Sequence, residues 1–211
     1  MGKALQILGY GSASKILGDP YPLGGYSGWE FGISTENFPT DKIATLGNGT
    51  ATQSQINYYI ITLGKGIYDN LDTFLQFAPM GQLENISNIG GQVRWGFYQA
   101  EYLPIYLSAI VHGDSTNFEN VIVTNTMGID LLVGFKEGDV TLYFGGGPIR
   151  AMGTFSGGNG GITNTGQTIS NGIQDSRVIA GLNIKINKFF LAGEIDNYTS
   201  SVYAAKLGAR F

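Results

Sequence analysis

Few residues in this chain have side chains suited to chemistry. Its 211 residues hold one histidine and no cysteine, which removes thiolate and disulfide chemistry and leaves no zinc or iron site to assign. The histidine stands in His112-Gly113-Asp114-Ser115, where base, acid and nucleophile types adjoin. A triad is defined by geometry rather than by adjacency in sequence, and neighbours in a loop rarely achieve that geometry. The expectation is therefore a solvated loop histidine at the outer rim, with no catalytic residue assigned. Gly157-Gly158-Asn159-Gly160-Gly161 has the look of a phosphate loop or a calcium repeat. It lacks the Lys-Ser/Thr pair of the first and the Asp of the second, and it reads as an outer loop. No cofactor is implied.

Charges set singly inside apolar runs are more informative. Glu30 lies between Trp29 and Phe31, and a carboxylate can stay wet there only by pointing the other way. The same argument places Glu30, Asp72, Asp130 and Glu194 on one interior with Arg94, Arg177, Lys185, Lys206 and Arg210. Buried charges must be paired or hydrated, so these residues predict a cross-lumen network shared with Tyr98, Tyr106 and Tyr143. Two readings stay open: a polar core that fills a narrow barrel, or a hydrated pore for ions or small solutes.

The elements that position these groups follow from a period of two. From about Tyr26 onward, segments of roughly ten residues alternate apolar and polar, as tilted membrane strands do. Leu103, Ile105, Leu107, Ala109 and Val111 oppose Tyr106, Ser108 and His112, and Tyr203, Ala205, Leu207, Ala209 and Phe211 oppose Lys206 and Arg210. The run Tyr58-Tyr59-Ile60-Ile61 leaves its segment's facing ambiguous. A helical reading fails, because polar residues recur every second position rather than along one helical stripe. Short links (Gly64 to Asn70, Gln99 to Tyr102, Lys136 to Asp139, Asn187 to Lys188) alternate with longer ones (Glu36 to Thr52, Pro79 to Ser87, His112 to Asn120, Gly153 to Asp175, Asp196 to Ser201). This predicts an all-β, closed antiparallel up-and-down transmembrane barrel over 26–211, with about ten strands, eight or twelve being alternatives. Residues 1–25 form either a periplasmic tail packed on the rim or a segment that enters the lumen as a plug.

Composition agrees with that fold. Charged residues make up only 13% of the chain, about half the share in a soluble domain, whereas a wall facing lipid needs none on its outer side. A net charge of −4 lacks the basic surface that nucleic acids require. Aromatics fall where interfaces belong: Tyr26, Tyr68, Trp95, Phe97, Tyr102, Phe135, Phe189 and Phe211 toward the periplasmic rim, and Phe38, Phe77, Phe118, Tyr198 and Tyr203 toward the outer one.

The closing segment, Ser201 to Phe211, resembles the C-terminal signature of Gram-negative outer-membrane proteins, with Tyr203, Leu207 and the terminal Phe211 at the matching positions. The resemblance implies the bacterial outer membrane and recognition by the barrel-assembly machinery, and it names no subfamily. Export would require a signal peptide, and the opening Met1-Gly2-Lys3-Ala4 contains none. The sequons at Asn48, Asn85 and Asn197 fall in expected loops and carry no modification in a bacterium. The functional expectation is a non-enzymatic barrel with a structural or surface-interaction role through its outer loops. The alternatives are a narrow channel, a lipid hydrolase or acyltransferase at the rim, and a soluble ligand-binding barrel.

Overall fold

The computed structural model describes residues 2–40, 55–79, 86–118, 121–156 and 167–211. The sequons at Asn48 and Asn85, the glycine run at Gly157 and the side chain of Phe38 lie outside the described residues. A helix, α1 (Gly2–Gly11), precedes ten strands: β1 (Trp29–Pro39), β2 (Gln55–Tyr68), β3 (Leu71–Phe77), β4 (Ile86–Gln99), β5 (Ile105–Phe118), β6 (Ile122–Glu137), β7 (Val140–Ser156), β8 (Thr168–Ile186), β9 (Phe189–Asn197) and β10 (Ser201–Arg210). Each strand pairs antiparallel with its chain neighbour, and β1 closes the barrel on β10 through pairs such as Glu30 with Arg210 and Ile33 with Leu207.

Alternation decides what each strand buries. Leu131, Leu207, Val178 and Ile89 stand on the outer wall, all more than 60% exposed, while their sequence neighbours Asp130, Lys206, Arg177 and Asn88 are buried in the lumen. The ambiguous run on β2 is settled across the ladder: Tyr58 pairs with Glu36 and Ile60 with Ser34, which turns both inward and leaves Tyr59 outside. No local pattern could decide this, because either face of that run offered one aromatic and one aliphatic residue.

At the rim where β1 begins and β10 ends, links are tight. Residues 138–139 and 187–188 each close a hairpin, with Gly138 at φ +56° and Asn187 at φ +58°, the left-handed geometry that two-residue hairpins need. At the opposite rim β1, β3 and β7 end and β2, β4 and β8 begin. In an outer-membrane barrel these are the periplasmic and outer rims respectively.

One expected long link is instead strand. β5 continues through His112 and on to Phe118, still in register with β6 (Asn117 with Val123), so only 119–121 join them. Polar residues here mark a wall facing a wet lumen and not a loop.

The N-terminal segment lies inside the barrel. At the outer end of the lumen Leu8 and Ile7 of α1 pack with Tyr58, Ile60, Phe118 and Val202, while Leu5 and Tyr10 pack with Ile149 and Ala151. Ile16 sits lower, among Ile110, Leu132, Tyr143 and Ile179. Asp19 reaches the periplasmic end, where it meets Lys136 and Arg210. The chain thus descends through the lumen before β1 starts up the wall.

Candidate functional site

The lumen gathers many of the described titratable side chains, and those of the wall arrive there by strand parity. In its periplasmic half Glu30 takes two cations from β10: Lys206 Nζ and Arg210 Nε each donate to a separate carboxylate oxygen at 2.6 Å. Arg210 also donates to the Asp19 carbonyl at 2.8 Å, and Lys136 donates to the Asp19 carboxylate at 2.8 Å. Burial pushes the Asp19 carboxyl up, but Arg210 and Lys136 outweigh it and hold the group below its ordinary value. Tyr106 Oη adds a donor to Asp19 at 2.8 Å, and Leu23 N–H donates to Asp72 at 2.8 Å.

Mid-lumen is organised by Arg177. Its guanidinium forks onto both oxygens of Asp130 and reaches Asp196 at 3.2 Å. A bidentate fork is the geometry that makes arginine the favoured partner for a buried carboxylate. His112 Nε2 lies 3.2 Å from the same Asp130, with both side chains fully enclosed. Lys15 extends its amine between Glu36 (3.7 Å) and Asp196 (3.8 Å).

The wall also holds the backbone of the inserted segment. Asp114 accepts from Ser14 N–H at 2.9 Å, and Glu194 accepts from Ile16 and Leu17 N–H at 2.9 and 2.8 Å. Arg177 donates to the Ser14 carbonyl at 2.8 Å and Arg94 to the Ile16 carbonyl at 2.6 Å. A segment with no helix or strand of its own must satisfy its amides elsewhere. Here charged wall residues do so.

Eight of the nine charges read from sequence as lumen-lining (Glu30, Asp72, Arg94, Asp130, Arg177, Glu194, Lys206 and Arg210) lie inside, on the parity assigned to them. Lys185 corrects the set: it shares their parity but stands exposed at the periplasmic mouth, beside Asp19 and Asn183. Tyr98 is a second correction. The register of β4 shifts between Gly96 and Tyr98, so Tyr98 pairs with Leu107 and points outward, 51% exposed. A β-bulge of this kind reverses facing for every residue beyond it. Phe118 and Tyr198, expected in the outer girdle, face the lumen, where Phe118 packs with α1 and Tyr198 stacks on Tyr10 at 5.3 Å between ring centroids. The rings Tyr26, Tyr68, Trp95, Phe97, Tyr102, Phe135, Phe189 and Phe211 are all exposed on the periplasmic side.

His112 is not a loop residue. It is buried in the wall, while Ser115 pairs with the outward Ile89 on the opposite face of β5. The odd spacing therefore separates histidine from serine, and the pair cannot act together. The lumen groups missed from sequence are Lys15, Asp19, Glu36, His112, Asp114 and Asp196. The last four were placed in loops because the strands run past their apolar stretches, and the first two belong to a segment without periodicity. Among the described residues no cluster of metal-ligating side chains is present.

No family model and no curated protein sequence matches the chain. Among solved structures it is similar to Ail, the attachment invasion locus protein of Yersinia pestis, at 16% identity over 89% of this chain and 99% of that one, with a TM-score of 0.38. It is also similar to the N-terminal β-barrel domain of Pseudomonas aeruginosa OprF (14% identity, 89% and 98% covered, TM-score 0.36) and to Neisserial surface protein A (9% identity, 87% and 94% covered, TM-score 0.32). No described helix is long and apolar enough to cross a membrane, whereas the strands present a continuous apolar exterior around a charged interior. With a closed meander, an apolar outer wall and an aromatic rim, the chain is a closed ten-stranded antiparallel β-barrel of transmembrane layout.

Proposed function

We infer that this barrel is a closed, non-enzymatic anchor that presents its outer rim to the surroundings and does not conduct in its resting state. The observation that carries this reading is the lumen filled by residues 2–23. The segment is bonded along its length to Asp114, Glu194, Arg177, Arg94 and Asp72. A pore for ions or solutes would need that segment to leave, at the cost of stranding several buried charges.

The outer rim supports a surface role. β8 pairs with β7 from Thr168 onward, but β9 joins it only at Val178. Residues 168–177 thus continue beyond the top of β9 as the edge strand of a sheet whose next strands are β7 and β6. Its free edge is blunted from within the chain: Asn171 and Asp175 side chains accept from the N–H groups of Gly172 and Ser176 at 2.9 and 2.8 Å. An edge capped by its own side chains resists uncontrolled strand pairing, as suits a hairpin displayed to solvent.

Single-channel recording of the full chain in planar bilayers tests the reading. A silent membrane is the expected result, and reproducible conductance steps would contradict it.

A further inference from the structure

We propose that the lumen is a binding site for a short peptide carrying the pattern small–Ser–Lys–aliphatic, occupied in the resting chain by its own residues 13–16 and able to accept the same pattern from another molecule. The inference rests on the placement of the N-terminal segment and goes beyond the closed-barrel reading, because it assigns the lumen a ligand.

Main-chain recognition is its first support. Between Ser14 and Leu17 the wall reads three N–H groups and three carbonyls with side chains alone: Asp114 and Glu194 accept, while Arg177, Gln92 and Arg94 donate. Such contacts hold a peptide through its backbone, as peptide-recognition sites do. They require no covalent continuity with the barrel.

Side-chain selection is the second support. The Lys15 ammonium is the one cation the segment brings to mid-lumen, where it lies between Glu36 and Asp196. Removing it would leave two buried carboxylates with less compensation, so the position selects a cation. Ile16 fills an apolar recess of Ile110, Leu132, Tyr143 and Ile179, and Ala13 is wholly buried beside Leu5, Tyr10, Ile149 and Ala151. Ser14 Oγ donates to Gln76 at 2.9 Å and accepts from Gln92.

Leu17 shows that the wall, and not the segment's own preference, sets the conformation. It lies at φ +41°, a left-handed geometry that costs a non-glycine residue about 1–2 kcal/mol. This turn aims the Ile16 and Leu17 N–H groups at one Glu194 carboxylate, as successive amides converge on an anion in a nest.

The connector allows a direct test on the folded, full-length chain. Gly24 is exposed, with nothing within 4 Å of where a Cβ would stand. A protease site inserted between Gly24 and Gly25 is cut after folding in detergent, and the severed segment is released in mild urea. A fluorescein-labelled peptide of residues 1–24 is then added, and its uptake is read by anisotropy and size exclusion. Uptake is expected, with binding weakened about a hundredfold or more by Lys15→Glu in the peptide and tightened about tenfold by Leu17→Gly. Failure of the unaltered peptide to enter, or equal binding of the Lys15→Glu peptide, would overturn the proposal. Conductance of the uncut chain reports separately on the closed-barrel reading, so the two failures are distinguishable.

Discussion

The Tyr143 ring lies over Gly181, its register partner on the adjacent strand, so closely that any Cβ at position 181 would overlap the ring. From that seat the Tyr143 hydroxyl donates to Glu194 at 2.6 Å, and Glu194 in turn accepts from Ile16 and Leu17 N–H. The missing side chain of a glycine therefore sets the position of the inserted segment. The arrangement recurs: Tyr106 lies over Gly134, Phe74 over Gly64 and Phe190 over Gly208, each pair in register. A ring laid over a glycine on the neighbouring strand fills the wall where a side chain is absent.

Gly181→Ala should displace the Tyr143 ring and cost about 1–3 kcal/mol, the range for overpacking a well-filled interior. Gly193→Ala, where a Cβ meets nothing within 4 Å, should leave stability unchanged. Urea titration of the folded band on unheated gels separates the two variants.

Arg177→Met should be among the most damaging single changes. It leaves Asp130 and Asp196 buried without their shared guanidinium partner, a situation that costs about 3–5 kcal/mol. Adding Asp130→Leu to Arg177→Met should recover part of the loss, because the uncompensated charge goes with its partner. A double-mutant cycle on the unfolding midpoint checks the sign of the coupling.

The outer wall gives a depth-dependent prediction. Leu131 is 61% exposed near the middle of β6, and Ile186 is similarly exposed at the periplasmic end of β8. Arginine at position 131 should cost about 2–4 kcal/mol and at position 186 about 0–1 kcal/mol, as charge on a lipid-facing wall does. Reversible folding into phospholipid vesicles, measured for both variants, gives the difference.

Acid should loosen the segment at its periplasmic end. The folded-state pKa of Asp19 lies below its ordinary 3.8 because Arg210 and Lys136 outweigh the effect of burial. The group therefore adds stability above that ordinary value and loses it as pH falls through the lowered one. Asp19→Asn should lower the thermal midpoint at pH 7, by a contribution of roughly 1.5–3 kcal/mol for charge-assisted bonds. The difference from the unaltered chain should shrink as pH falls below the ordinary carboxyl value and be lost once the lowered one is passed.

A count of about ten strands, closure and the sign of most faces were legible because one physical rule, opposite solvents for successive side chains, governs the wall; the Tyr58–Ile61 run on β2 needed the ladder. Glu30, Arg94 and Lys206 were located by it without knowledge of any partner. The rule fails where register shifts, as at Tyr98, and it falls silent where both faces are wet, so the polar stretch from His112 to Asn117 on β5 read as loop. The segment Ser12–Leu23 has no period at all. Its place is set by contacts with Asp114, Glu194 and Arg177, residues 100 to 178 positions away in sequence, and no local pattern encodes contacts of that range. The glycine–aromatic pairs were present in the sequence, but only the ladder register shows which glycine faces which ring.

Thiol accessibility tests the filled lumen most directly, since the chain has no cysteine of its own. Ala13→Cys places a thiol where exposure is 0%, and Tyr26→Cys places one where it is 71%. In the folded, detergent-solubilised protein the second should react with a charged maleimide within minutes, while the first stays protected until the barrel is heated. Equal labelling of both before heating would show the segment outside the lumen and contradict the account.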